Sequence, residues 1–85
     1  MDIGSAHVHL VRIEPDAGRW RYYRVYLRPD LFAPVALVRE WGRIGQGGGS
    51  YRVEPFDSRA SAHAALLDLV RRKVRKGYRE AGVAP

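Results

Sequence analysis

The chain of 85 residues contains no cysteine, which excludes disulfide bridges and thiolate metal sites. It also lacks any apolar run close to the ~20 residues that a membrane-spanning helix requires. The N-terminal segment MDIGSAHVHL has neither the basic start nor the apolar stretch of a signal peptide. We therefore expect a cytoplasmic protein without a membrane partner, and association with the nucleoid is compatible with that location.

Residues that commonly carry catalysis or bind metals are scarce. Only three histidines occur, His7, His9 and His63. His7 and His9 share one side of a predicted strand, but no third ligand follows at a spacing typical of zinc sites. Glu40 and Glu54 each neighbour an arginine, which favours surface ion pairs over acid–base chemistry. The sequence therefore predicts no enzymatic activity, no cofactor and no bound metal.

The glycine-rich segment GRIGQGGG at 42–49 does not match the known phosphate loops. A Walker loop needs Gly-Lys-Ser/Thr entering a helix, whereas Gly47 is followed by Gly48. The dinucleotide fingerprint also requires a following helix, and here a strand is predicted. We interpret the segment as a hairpin connection whose glycines allow positive φ, with a backbone contact to an anion as the alternative.

The charge of the chain is basic and unevenly distributed. Fifteen Lys and Arg face nine Asp and Glu, which gives a net charge of +6. Residues 43–85 hold nine basic and four acidic side chains, so that half carries +5 of the total. Thirteen of the cations are arginine, which pairs bidentately with phosphate and stacks on flat rings. This composition favours a polyanionic partner, and a basic surface that only aids solubility is the alternative.

Periodicity predicts four strands followed by one helix. Alternating or β-branched segments indicate strands at 6–13, 19–29, 35–41 and 50–56. Apolar residues from Arg59 to Lys76 recur at helical spacing, with Asp57 or Ser58 as the N-cap and Gly77 as the stop. Because the strands precede the helix, the fold class is α+β, an antiparallel meander with a helix across one face. We expect a single domain over 1–85, with a core at about 6–79 and a loose tail at 80–85.

Four motifs in order resemble the WGR domain family. REWGRIG (39–45) contains the Trp-Gly-Arg for which the family is named, as Trp41, Gly42 and Arg43. Three further segments resemble the second strand with its connection, the helix entry and the closing Lys…Gly-Tyr run: RYYRVYLRPDLF (21–32), PFDSRASAHAAL (55–66) and LVRRKVRKGY (69–78). The resemblance covers residues 6–79 and implies a curved sheet.

The resemblance also implies a role. The domain is best known in DNA-dependent poly(ADP-ribose) polymerases, where its tryptophan lies against the terminal sugar of a DNA break. Neighbouring basic residues lie near the 5′ phosphate, and the arginine helps to relay binding to the catalytic domain. The present sequence departs from that pattern because it contains no catalytic domain. The resemblance therefore implies break binding here without synthesis of poly(ADP-ribose).

Six residues are candidates for the binding surface. Trp41 ends a predicted strand, Gly42 lets backbone pass close by, and Arg43 reaches the same surface. The remaining candidates are cations predicted near that surface: Arg39 on the side of the strand that Trp41 occupies, Arg52 across the hairpin, and Lys73 on the helix. Lys73 falls on the apolar stripe, so it either extends outward along the sheet or reaches the surface beside Trp41.

Each of these interpretations has an alternative. Trp41 is also consistent with a place in the core, and Arg43 with an ion pair to Glu40 or Glu54. We predict a non-catalytic nucleic-acid-binding module that favours DNA ends or nicks bearing a 5′ phosphate, with RNA as an alternative ligand. A protein-interaction module that uses the same Trp/Arg edge is the competing hypothesis.

Overall fold

The structure is a computed structural model that describes residues 6–81. Within that range the strands are β1 (His7–Glu14), β2 (Arg19–Arg28), β3 (Val35–Arg43), β4 (Ser50–Phe56) and β5 (Arg79–Glu80), and the helix α1 spans Arg59–Arg75. A single 3₁₀ turn at Pro15–Ala17 joins β1 to β2. The sheet order is β4-β3-β2-β1-β5, and every described pairing is antiparallel. The α+β class and the four-stranded meander are confirmed.

The fifth strand was not predicted. Arg79 and Glu80 pair with Val11 and Leu10 of β1, and the Ala81 N–H donates to the carbonyl of His9 at 2.8 Å. The free edge of β1 offers backbone groups that need partners, and these residues supply them. Glu80 and Ala81, which we assigned to a loose tail, are thus bonded to β1, whereas 82–85 lie outside the described residues.

The core occupies one half of the sheet face on which α1 lies. Tyr23, Val25 and Leu27 alternate toward the helix from β2, as the periodicity predicts. They pack with buried residues of β1, β3 and α1: Leu10, Val35, Leu37, Ala62, Leu66 and Leu69. Burying each of the larger aliphatic side chains contributes about 1.5–3 kcal/mol. The other half of this face, toward the end of β3, is not covered by α1 and is lined by charged side chains.

Local signals set both ends of α1. The Ser58 side chain accepts a hydrogen bond from the Ser61 N–H at 3.1 Å, so Ser58 rather than Asp57 is the N-cap. Gly77 takes φ 101°, as the predicted stop requires, and the helix ends at Arg75. The chain then reverses, which places Tyr78 against the core and starts β5.

Two sequence-based predictions concern metal ligands and membrane-spanning segments. His7 and His9 are both exposed, and no group of three potential metal-ligating side chains is found within 6–81. The helix in this range does not combine the length and the apolar character that a bilayer crossing requires.

Candidate nucleic-acid interface

The Trp-Gly-Arg motif lies wholly within β3, which runs two residues beyond its predicted end at Trp41. Trp41, Gly42 and Arg43 pair with Tyr23, Tyr22 and Arg21 of β2, respectively. Strand alternation places Trp41 and Arg43 on the face that carries α1, beyond the part that the helix covers, and Gly42 on the opposite face. The motif is therefore held by strand pairing and not by a flexible loop.

Trp41 lies at the border of the core. Its ring stacks on Tyr23, with ring centroids 5.7 Å apart and an interplanar angle of 14°. The residue is half-buried and packs against the core cluster, so it is neither sealed in the interior nor free in solvent. Stacked aromatic pairs add about 0.5–1.5 kcal/mol beyond area burial. The stack therefore holds the indole in a fixed orientation.

A cavity of about 680 Å³ opens beside Trp41. Its lining includes all six residues predicted from the sequence, Trp41, Gly42, Arg43, Arg39, Arg52 and Lys73, together with Arg21, Tyr22, Tyr23 and Tyr78. Sequence reasoning missed the last four as site residues. Three of them lie on β2 directly opposite the motif, so only the strand register reveals them.

Gly42 and Gly49 make room for the Tyr22 ring. A Cβ on Gly42 would lie 3.1 Å from both Cε2 and the hydroxyl of Tyr22, and 3.2 Å from the Gly49 Cα. A Cβ on Gly49 would clash with the Tyr22 hydroxyl and lie 2.7 Å from the Trp41 carbonyl oxygen. Backbone does pass close to Gly42, as predicted, at the Gly49 Cα. The Tyr22 side chain approaches Gly42 as closely, which was not predicted. Gly45 and Gly48 have φ of 83° and 77°, as the hairpin interpretation requires.

Arg39 and Arg52 face each other across the β3–β4 pair, as predicted. The Arg39 Nη2 lies 3.9 Å from Glu54 Oε1, which is a loose pairing. The Arg39 Nε is buried and finds no hydrogen-bond partner among the described residues. An anion in the cavity would supply an acceptor for this side chain.

Arg43 is exposed, and it does not form the ion pair that the sequence allowed. It donates from Nη1 to the Gly18 carbonyl at 3.4 Å. Glu40 instead pairs with Arg24 at 3.3 Å and accepts a hydrogen bond from the Tyr26 hydroxyl at 3.0 Å. Glu40 is therefore engaged on the opposite face of the sheet and leaves the Arg43 charge unneutralised.

Lys73 extends to the cavity and not away from it. Its Nζ lies 4.4 Å from the Tyr23 ring centroid and 5.7 Å from that of Tyr78, which are cation–π distances. Burial lowers the pKa of Lys73, and the positive charges of Lys76, Arg39 and Arg72 lower it further. The ammonium group is thus held near Trp41 through the ring on which the indole stacks.

The cavity lining contains five cations and no carboxylate: Arg21, Arg39, Arg43, Arg52 and Lys73. Four are arginines, whose planar donors match phosphate oxygens. Three aromatic side chains also line it, those of Tyr23, Trp41 and Tyr78, whereas the ring of Tyr22 packs against Gly42 on the opposite face of the sheet. A ligand that combines anionic groups with flat or apolar surface is complementary to this site.

The fold and the cavity define a small α+β module with an aromatic, cationic cleft at the rim of its sheet. The chain belongs to the WGR domain family, since the family model described as "WGR domain" matches residues 6–85. The domain is associated with nucleic-acid binding in proteins of the poly(ADP-ribose) polymerase type.

The chain is also similar to the "Uncharacterized protein y4dW" of Sinorhizobium fredii, with 38% identity over 72 residues. The match covers 85% of this chain and 35% of that protein, so the chain spans about a third of the length of the curated relative. No solved structure matches the chain.

Proposed function

We propose that the protein is a non-catalytic DNA-binding module that favours duplex ends or nicks carrying a 5′ phosphate. The observation that carries this proposal is the cavity beside Trp41, whose lining combines five cations with the rings of Tyr23, Trp41 and Tyr78 and includes no carboxylate. Both chemical features of a strand terminus, an exposed sugar or base and a phosphate, have a complementary group there.

The tryptophan supports selectivity for ends. Inside an intact duplex each base pair is covered by its neighbours, so a flat ring finds no free surface without unstacking. A terminus exposes one sugar and one base, against which the Trp41 indole can lie. Stacking of this kind contributes about 1–3 kcal/mol per base. Because every terminus offers such a surface, binding is independent of sequence.

The cations support affinity for the phosphate groups. Arginine forms paired, charge-assisted hydrogen bonds with phosphate oxygens, and such bonds are about twice as strong as neutral ones. Arg39 approaches Glu54 only to 3.9 Å through Nη2, so its terminal donors can turn to a phosphate in the cavity. Phosphate contacts also release counterions, so the affinity should fall steeply as salt rises.

Titration of matched DNA ligands tests the proposal. The ligands are labelled blunt and nicked duplexes, with and without a 5′ phosphate, and a closed circular duplex. Each is titrated at several salt concentrations with the parent, Trp41→Ala and Trp20→Ala. Trp20 is the matched control, because it is 39% exposed, lies on the opposite face and does not line the cavity. Single- and double-stranded RNA of the same length provide the alternative ligand.

We expect Trp41→Ala to weaken binding to ends and nicks by about 5- to 150-fold, the range that the stacking energy implies. Trp20→Ala should stay within about twofold of the parent. The closed circle should bind weakly in every case. Equal affinity for circle, nick and end in the parent would leave charge alone as the cause of binding and reject end recognition.

A protein-interaction function is the second candidate, and a separate surface favours it. Leu31 and Phe32, in the β2–β3 connection, are 91% and 94% exposed. The strand register places this connection at the opposite end of the sheet from the cavity. Exposed large apolar residues next to each other are typical of a contact site, and the Trp41/Arg43 edge is the other candidate contact.

Pulldown experiments separate these possibilities. Loss of a specific protein partner in Trp41→Ala, with DNA affinity retained, would favour a protein contact at the Trp/Arg edge. Loss in Phe32→Ser alone would assign the contact to the opposite end of the molecule. Retention of every partner by both variants would reject the second candidate.

A further inference from the structure

A second cavity of about 300 Å³ lies between the C-terminal half of α1 and β3. Tyr23 and Leu69 provide its apolar lining, and five cations complete it: Arg39, Arg72, Lys73, Arg75 and Lys76. Tyr23, Arg39 and Lys73 also line the first cavity, so the two cavities are directly adjacent. Together they form one cationic groove that leads from the rim of the sheet to the end of the helix.

The charges of the second cavity are poorly neutralised. Among the ion pairs formed by residues 6–81, Arg72 pairs with Asp68 at 3.2 Å and Arg39 approaches Glu54 only to 3.9 Å. None of the ion pairs in that range includes Lys73, Arg75 or Lys76. Like charges therefore crowd this cavity without matching carboxylates.

The helix dipole explains only part of this crowding. Cations in the last turn of a helix gain about 0.3–1 kcal/mol from the dipole, and exposed Arg75 and Lys76 satisfy that rule. Lys73 also lies in the last turn, but burial lowers its pKa and the charges of Lys76, Arg39 and Arg72 lower it further, so the dipole does not offset the cost of holding this ammonium in place. The buried Arg39 Nε lacks an acceptor in the described part of the chain. The crowding of these positive charges is unfavourable in the free protein, and an anion that enters the second cavity would make it favourable.

We propose that the second cavity binds the phosphate next in line on the strand whose terminal sugar lies against Trp41. The ligand is therefore a polynucleotide terminus with at least two consecutive phosphates, and a mononucleotide fills only half of the groove. This inference rests on the proposed function of the first cavity. Arg39 and Lys73 lie between the two phosphates, and Arg75 and Lys76 contact only the second.

Competition with a ladder of short ligands tests this inference. The competitors are 5′-phosphorylated oligothymidylates of one to four nucleotides, displacing a labelled 5′-phosphorylated duplex end from the full chain. The variants are the pair Arg75→Gln with Lys76→Gln, and as matched control the pair Arg59→Gln with Arg71→Gln. The control removes the same number of positive charges, in this case from α1 alone, but neither residue lines either cavity. Circular dichroism and thermal denaturation verify folding.

In the parent and the control, the affinity should rise about tenfold from one nucleotide to two, the effect of one charge-assisted contact. The rise should be smaller at each further step. In the cavity variant this first step should shrink to about twofold, while the mononucleotide competes as well as before. If the mononucleotide fails to compete at millimolar concentration, the ratio of dinucleotide to mononucleotide affinity in the parent is larger than tenfold, which also supports the inference.

Two results would overturn the inference. One is equal competition by the mononucleotide and the dinucleotide in the parent; the other is an equal loss in the cavity and control variants. Failure of the proposed function has a different signature. Trp41→Ala should lower the affinity of every ligand in the ladder, and an unchanged ladder in that variant would reject the role of the first cavity.

Discussion

Lys73 is the residue whose surroundings make the clearest prediction about pH. Its ammonium faces Tyr23 from β2, Arg39 from β3, Arg72 on its own helix, and Lys76 and Tyr78 just after the helix. The lowered pKa means that Lys73 loses its proton, and its attraction for phosphate, at a lower pH than an ordinary lysine near 10.4. As the pH rises, affinity for a phosphorylated end should therefore begin to decline before an ordinary lysine would lose its proton.

The stability of the free protein should respond in the opposite direction. Between the lowered pKa and the unfolded value, the unfolded chain binds more protons, so the free energy of unfolding rises with pH. The control is Lys73→Arg, whose guanidinium stays charged throughout. In titrations from pH 7 to 10, the affinity for a phosphorylated end should decline in the parent and stay constant in Lys73→Arg. Parallel profiles would show that Lys73 is not the titrating group.

Gly42 gives a prediction about space rather than charge. A methyl group there meets the Tyr22 ring at 3.1 Å, so Gly42→Ala forces the ring to move and should destabilise the fold by about 1–3 kcal/mol. Gly47→Ala is the matched control, because its Cβ would meet nothing within 4 Å and its φ is not positive. Thermal denaturation should show a lower midpoint for Gly42→Ala alone. Equal midpoints would mean that Tyr22 adapts freely.

At the level of the strands and the helix, alternation and capping signals predicted most of the fold. The bounds of β2 and β4 follow from side chains whose period matches a half-buried sheet. The end of β3 was placed too early, because Gly42 resembles a strand breaker until Tyr22 is seen to fill its space. The two residues of β5 carry too little pattern for any prediction.

The sequence predicted those residues of the candidate site that belong to one local motif, but not those that strand pairing brings to it. Trp41 and Arg43 are recognisable from the motif, and Lys73 from its place on the helical stripe. Arg21 and Tyr22 become site residues only through the β2–β3 register, which a single sequence does not specify. The direction of Lys73 likewise depended on the position of the Tyr23 ring.

The N-cap of α1 provides a prediction at this scale. Ser58 accepts the Ser61 N–H at 3.1 Å, so Ser58→Ala should lower the free energy of unfolding by about 0.5–2 kcal/mol. Asp57→Ala is the control and should stay within about 0.5 kcal/mol of the parent. Denaturant titration measures both. DNA affinity should not change, since neither residue lines the groove. A larger loss of unfolding free energy in Asp57→Ala than in Ser58→Ala would mean that Asp57 is the N-cap.

Across the whole molecule, the cationic and apolar surfaces lie at opposite ends of the sheet. The groove lies beside Trp41 and Arg43, whereas Leu31 and Phe32 follow the far end of β2. A nucleic acid in the groove would leave those two side chains exposed for another contact. The similar Sinorhizobium fredii protein is about three times as long as the matched segment, so there the module is part of a larger chain.

Salt dependence separates the two forces that the groove combines. Each phosphate contact with duplex DNA contributes about −0.9 to the slope of log K against log salt. Arg43→Gln should therefore reduce the magnitude of the slope by about 0.9, because it removes one contact along with its counterion release. Trp41→Ala should weaken binding at every salt concentration and leave the slope unchanged, because stacking releases no counterions. Equal changes in slope for the two variants would mean that Trp41 and Arg43 do not act through distinct forces.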